Sequence, residues 1–279
     1  ESGGLVGNLS YAQKNLFGTA QDVSLTLSRG LGETKDTTWT LSYVGRSFPV
    51  FTQVQLDLYR KEEEARLVLG GGLQVAYPVA DYLNLTLGFT SEIATKLPDE
   101  PLPPRNAITL GFVYDDRDSP FFPRTGQRGQ ISLEKAGTFA PGVEYLSLKL
   151  EMSRFWPWDL GDYRCALAVR GLLRAGWDLP EDYWFTLGGV DSVRGAKKIT
   201  TDRMALVNAE FRLELTQGAW FAPFLDFGVD LRTGNKKFAP GLEVAVNLGG
   251  MFIRLSASWP NDREPTWVPA FEFGMSPMF

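Results

Sequence analysis

Apolar and polar residues alternate with period two from one end of this chain to the other, the pattern of strands that present one apolar and one polar face. Val54, Leu56 and Leu58 alternate with Gln55, Asp57 and Tyr59, and Leu83, Leu85, Leu87 and Phe89 with Asn84, Thr86, Gly88 and Thr90. Leu146, Leu148, Leu150 and Met152 interleave with Ser147, Lys149, Glu151 and Ser153; Val207, Ala209, Phe211 and Leu213 interleave with Asn208, Glu210, Arg212 and Glu214. No helical period competes over a comparable length. Strands are predicted near 4–13, 22–30, 37–46, 51–60, 65–78, 82–94, 106–116, 127–137, 143–155, 163–176, 203–215, 221–231, 238–248, 251–259 and 267–279, about fifteen in all.

Alternation does not say which face is wet, because a soluble sandwich gives the same string with its apolar face inward. Size separates the cases. A closed sheet of roughly eight strands can be filled by side chains, whereas one of about sixteen encloses a lumen too wide to pack, so its polar set faces inward and its apolar set faces lipid. Leu83, Leu85, Leu148, Leu150, Leu213, Phe227 and Phe273 are then expected in an outward band about 25 Å tall. The expected fold class is all-β, a transmembrane antiparallel up-and-down β-barrel. Two soluble sandwiches in tandem would need a linker, and composition shifts nowhere to mark one.

The connections between these strands fall into two classes. Gly32 to Asp36, Lys61 to Glu64, Lys96 to Asn106, Arg232 to Lys237 and Asn261 to Glu264 are polar. Asn15 to Gly18, Asp118 to Gly126, Trp156-Pro157-Trp158 and Trp220 to Pro223 are aromatic or proline-rich. Aromatics gathered on alternate connections suit a girdle at the boundary of hydrocarbon and water.

Composition narrows the chemistry. The 279 residues include no histidine, which removes Ser-His-Asp and Cys-His nucleophiles, HExxH zinc sites and imidazole acid/base work. The lone cysteine, Cys165 in Cys165-Ala166-Leu167, cannot form an internal disulfide or a multi-thiolate metal site and reads as a small apolar residue. A net charge of −5 without a basic block argues against nucleic acid as a partner. No run approaches the roughly 18 apolar residues of a membrane helix, so any membrane crossing is by strands. No enzyme chemistry, cofactor or metal is implied.

Four segments carry a more specific signal. Gly188-Gly189-Val190-Asp191-Ser192-Val193-Arg194-Gly195 falls in a long connection from about Asp178 to Asp202. Its arginine, a permanently charged fork of five donors, needs carboxylates if it enters a barrel. Glu210 and Asp226 stand at inward parity on the next two strands. Tyr114-Asp115-Asp116-Arg117-Asp118-Ser119-Pro120-Phe121-Phe122-Pro123-Arg124-Thr125-Gly126 crowds three carboxylates, but Pro120, Pro123 and Gly126 are placed for a turn and no calcium-loop spacing follows. Asn15-Leu16-Phe17-Gly18-Thr19 punctuates the start, and the chain ends on Pro269, Phe271, Phe273, Gly274, Met275, Pro277 and Phe279. Gly70-Gly71-Gly72 lacks the Lys-Ser/Thr of a phosphate loop and reads as a close approach within a strand.

Together these segments resemble the BamA and TamA superfamily of outer-membrane assembly factors across the whole chain. The resemblance implies that Val193-Arg194-Gly195 is the signature of an extracellular loop folded into the lumen, latched by Glu210 and Asp226. One departure is Ala196, where the family has Phe or Tyr. Asp116, Arg117, Pro120, Pro123 and Gly126 match the family's strand-turn element, and the terminal aromatics resemble the signal by which such barrels are recognised. Matching the Asn-Leu-Phe-Gly-Thr turn makes the strands here the family's second to sixteenth, so its first strand and its periplasmic POTRA repeats are expected to be missing, leaving residues 1–279 as one barrel domain.

The implied function is insertion of other β-barrels into the bacterial outer membrane by templating at a lateral seam. The implied partners are the lipid bilayer, unfolded barrel clients and periplasmic or lipoprotein accessory subunits. A two-partner secretion pore and a carrier for an upstream enzyme domain are the alternatives. Pro269 and Pro277 share parity, so both missing donors are expected on the seam side of the last strand.

Overall fold

In the computed structural model, residues 6–13, 21–30, 37–44, 53–63, 66–96, 100–120, 122–161, 163–248, 251–264 and 267–274 are described. They form β1 (Val6–Gln13), β2 (Asp22–Gly30), β3 (Thr37–Val44), β4 (Gln53–Glu63), β5 (Arg66–Ala80), β6 (Leu83–Lys96), β7 (Glu100–Pro101), β8 (Arg105–Asp115) and β9 (Gly126–Ala136). There follow β10 (Tyr145–Leu160), β11 (Tyr163–Trp177), β12 (Phe185–Leu187), β13 (Ile199–Thr201), β14 (Arg203–Thr216), β15 (Ala219–Asp230), β16 (Lys236–Leu248), β17 (Met251–Ser258) and β18 (Ala270–Gly274). One sixteen-stranded sheet takes its order from the chain, β1 through β6, β8 through β11, then β14 through β18, with β7 added beside β6 and β12 paired with β13 apart. Fifteen of these strands overlap the segments that the alternation predicts; β18 covers only part of the predicted 267–279, of which 275–279 lie outside the described residues.

The chain forms two compact units, Glu1–Val113 with Ser132–Leu146, and Tyr114–Ile131 with Ser147–Phe279. In the first, register lines residues of one parity into rows across the strands. Tyr11, Leu25, Leu41, Leu56, Leu73 and Phe89 are successive partners from β1 to β6, and every one of them is exposed. The neighbouring row is polar: Ser10, Thr26, Thr40, Asp57, Gly72 and Thr90. The glycine triplet is a close approach, since a Cβ on Gly70 would meet the Tyr59 ring at 2.6 Å. The Tyr59 hydroxyl donates to Glu92. Arg105 joins that acid to Glu134 at 3.1 and 2.8 Å, giving this unit a polar network of its own.

The second unit repeats the rows. Cys165, Leu213, Phe221, Val244, Leu255 and Phe273 are successive partners from β11 to β18 on one face. Ala168, Glu210, Phe224, Gly241, Ser258 and Ala270 are partners on the other. Here the usual arrangement is inverted. Asn208, Glu210, Arg212, Asp226, Glu243 and Arg254 are buried, while Val207, Leu225, Phe227, Val244, Leu255 and Phe273 are exposed. Such a contiguous apolar surface is unfavourable in water, and it matches a sheet whose outer face is solvated by hydrocarbon.

Three sequence expectations need correction. Trp156-Pro157-Trp158 is not a connection, because β10 continues to Leu160; Trp220 to Pro223 lies within β15. Strand parity runs unbroken through the latter, so Trp220 points to the buried face and meets Phe122 edge-on, ring centroids 3.6 Å apart, instead of joining an aromatic girdle. Of the polar connections, Lys61 to Glu63 and Lys236-Lys237 belong to strand ends. The segment Asn15 to Thr19 lies outside the described residues.

Candidate functional site

The connection between β11 and β14 folds onto the buried face of the second unit. A 3-10 turn at Glu181–Tyr183 leads into β12, and β13 brings the chain back. Between them the backbone turns tightly: Ser192 N–H donates to Gly189 O, Gly189 N–H to Val193 O, and Gly188 N–H to the Ser192 hydroxyl. Gly188 and Gly189 take φ of 110° and 89°, which residues with a Cβ rarely adopt, so this turn requires them. Leu187, Val193 and Ala196 pack with Leu172, Met204, Leu206 and Ala239. Gly228 makes room for them, since a Cβ there would meet Leu187 at 2.6 Å.

The turn delivers Arg194, wholly buried, into a cluster of acids. Its Nε and Nη2 donate to the two oxygens of Asp226, each at 2.8 Å, and its backbone N–H donates to the same carboxylate at 3.0 Å. Nη1 reaches Glu210 Oε1 at 2.7 Å and Glu243 Oε2 at 3.0 Å. The guanidinium stacks 3.3 Å from the centre of the Phe224 ring, which in turn lies over Gly241, where a Cβ would stand 2.7 Å from Phe224 Cε1. Arg212 donates to Glu210 at 2.8 Å and Arg254 stands 3.5 Å from Glu243. Three buried guanidiniums, of Arg194, Arg212 and Arg254, thus face three buried carboxylates, of Glu210, Asp226 and Glu243, and the group is electroneutral. Desolvation alone would push the Arg194 guanidinium down; Glu210, Asp226 and Glu243 outweigh it and hold it above the ordinary arginine value, so it stays charged.

The loop is also tied along its length. Arg170 donates to Asp191 O, Asn208 to Ser192 O, Arg254 to the Asp191 carboxylate and Gly195 N–H to Glu272. One connection therefore bonds to all six strands from β11 to β18 that form this unit's far half. Val193, Arg194, Gly195, Glu210 and Asp226 lie together in this cluster. Glu243, Phe224, Gly241, Arg254 and Glu272 were missed. The available signal was an ionisable residue at inward parity on every successive strand after the loop.

The other predicted residues sit apart from this cluster. Arg117 closes a bidentate pair on Asp115, both bonds 2.8 Å, and Asp116 accepts Gln127 N–H at 2.6 Å. Asp118 accepts the N–H groups of Arg124 and Thr125, and Gly126 has φ of 94°. Each of these carboxylates is bonded within the turn or to the strands that flank it, and Pro120 and Pro123 lie within the turn. At the other end of the chain, Phe271 and Phe273 are exposed and Gly274 packs against Arg254. Met275, Pro277 and Phe279 lie outside the described residues.

Backbone parity fixes which residues of β18 face away from β17. Trp259 N–H donates to Pro240 O, so odd residues of β17 bond toward β16 and even ones toward β18. In the β17–β18 register, Ser258, Ser256 and Arg254 oppose Ala270, Glu272 and Gly274. The backbone groups of Phe271 and Phe273 therefore face away from β17; Pro269 lies one residue before β18, outside the paired stretch.

A sequence model described as the Omp85 superfamily domain matches residues 15–259. No curated protein sequence matches. Among solved structures, BamA from Haemophilus ducreyi lacking POTRA domains 1-3 superposes with a TM-score of 0.75 at 14% identity, over 98% of this chain and 67% of that one. CdiB from Acinetobacter baumannii gives 0.68 at 15% identity over 97% of this chain and 56% of its own. CdiB from Escherichia coli gives 0.67 at 14% identity over 96% and 58%. The chain thus spans between about half and two thirds of these proteins.

Proposed function

Since this chain belongs to the Omp85 superfamily, and is with it an all-β barrel protein of the bacterial outer membrane, we propose that it inserts other β-barrel proteins into that membrane by templating their strands. The observation that carries this reading is the terminal strand. Among the described residues β18 stands last in the strand order and pairs with β17 through Arg254–Ser258 and Ala270–Gly274. The backbone groups of Phe271 and Phe273 face away from that pairing. An edge of this kind accepts an incoming strand by backbone hydrogen bonding. The loop latch, through Gly195 and Glu272, holds β18 from its other face while the edge exchanges partners. Bilayer and unfolded barrel clients are the partners in this reading, with periplasmic or lipoprotein subunits as accessories.

The test uses the full-length protein with Cys165→Ser and single cysteines at Phe271 or Ser256. During assembly, a client carrying a cysteine in its last strand should form a disulfide at 271 and not at 256, whose side chain faces inward. Crosslinks of a translocating passenger at 256, with none at 271, would overturn the assembly reading in favour of a secretion pore.

A further inference from the structure

The outward face of the second unit carries a furrow directly behind the latch. Its volume is about 530 Å³, and its floor is made by Ala209, Pro223 and Pro240 with Phe211, Leu242 and Trp259 as walls. Register explains the hollow. Ala209, Leu225 and Pro240 are successive partners in one row, and Pro223 opposes Leu242 in the next. On one side runs the bulky row Val207, Phe227, Phe238; on the other runs Phe221, Val244, Leu255. Ala209, Pro223 and Pro240, interspersed with Leu225, Phe211 and Leu242 between the two flanking rows, leave a trough.

The prolines also thin the hydrogen bonding beneath it. Asn247 N–H donates to Gly218 O, so odd residues of β16 bond toward β15, and even residues toward β17. The donor missing at Pro240 is thus one that would have faced Trp259 on β17. By the same alternation the donor missing at Pro223 would have faced Phe211 on β14, and the β14–β15 ladder skips there from Glu210–Phe224 to Leu213–Phe221. Prolines are costly in the interior of a sheet, and these two sit on neighbouring strands in adjacent rows, where neither projects a long side chain.

We infer that this furrow binds the acyl chain of a bilayer phospholipid. The inference rests on the outward face being in the membrane, and it is continuous with the exposed apolar rows above and below. Nothing in the trough offers a polar anchor: the Trp259 indole N–H is spent on Trp267 O at 3.3 Å, and Glu210, which borders the trough, turns its carboxylate to the other face onto Arg194. Recognition is by shape and hydrocarbon contact alone, which a flexible acyl chain satisfies and a strand or helix, too broad for the trough, does not.

The full-length protein would be reconstituted in phospholipid vesicles containing a phospholipid with a diazirine in its acyl chain, irradiated, and mapped by mass spectrometry. Label is expected several-fold higher on Ala209, Pro223, Pro240 and Trp259 than on the equally outward Val244 and Leu255. Ala209→Phe, which fills the trough, should bring it down to their level, with retention of the heat-modifiable band confirming the fold. Even labelling in the unsubstituted protein overturns the furrow as a site while leaving the outward face in the membrane. Clustering that survives Ala209→Phe in a folded protein overturns it too. Absence of label from Val244 and Leu255 as well as from the trough overturns the membrane reading itself and this inference with it.

Discussion

Arg194 has a bond for each guanidinium nitrogen, two carried by one carboxylate in the fork geometry that lysine cannot reproduce. Removing one partner of a buried ion pair leaves the others uncompensated, at a cost of about 3–5 kcal/mol. Arg194→Ala strands Asp226, Glu210 and Glu243 together without their shared cation. The folded band in a heating series on a denaturing gel should then disappear at a clearly lower temperature than for the unsubstituted protein. Arg194→Lys should fall between the two, since it restores the charge without the fork. Equal transition temperatures in all three would mean that the cluster contributes nothing to holding the loop.

At the scale of elements, the latch depends on residues that carry no charge. Gly241 in β16 lets Phe224 of β15 lie flat, and Phe224 is the surface on which the loop's arginine stacks. A methyl group at 241 must displace the ring, an overpacking cost of about 1–3 kcal/mol, and with it the guanidinium. Gly228→Ala acts on the same loop by another route, pushing against Leu187 and Val193. Both substitutions should lift the loop and speed trypsin cleavage at Lys197 and Lys198, which are exposed beside it. Cleavage at an unchanged rate in Gly241→Ala would show that Phe224 does not support the loop.

Over the whole molecule, parity is the organising quantity. Spin labels at Leu41, Leu73 and Phe89 in the first unit, and at Val207, Val244 and Leu255 in the second, should be relaxed by lipid-soluble oxygen, because each belongs to an exposed apolar row. Labels at Thr40, Asp57, Asn208 and Ser256 belong to the alternate rows and should not be. Equal accessibility of the two sets in vesicles would argue for a water-soluble sheet. The same parity governs Trp220: a rim aromatic by composition, it is an interior one by position, pinned against Phe122.

Strand positions and facing were legible in the chain because period-two alternation is local: each residue's face is set by its distance from its neighbours in sequence. That basis gave the inward facing of Glu210 and Asp226, while the folding of the Arg194 loop onto them was implied by the family resemblance. What the sequence left open depends on register between distant strands. Glu243 reaches Arg194, and Glu272 reaches Gly195, only because hairpin lengths between β14 and β18 set them at one height. Proline read as punctuation at Pro157 and Pro223, yet both stand within strands, where neighbouring pairing outweighs a single lost hydrogen bond. The trough at Ala209, Pro223 and Pro240 has no sequence signature at all. It exists because three small side chains, each unremarkable on its own strand, fall in adjacent rows around Leu225 when the sheet forms.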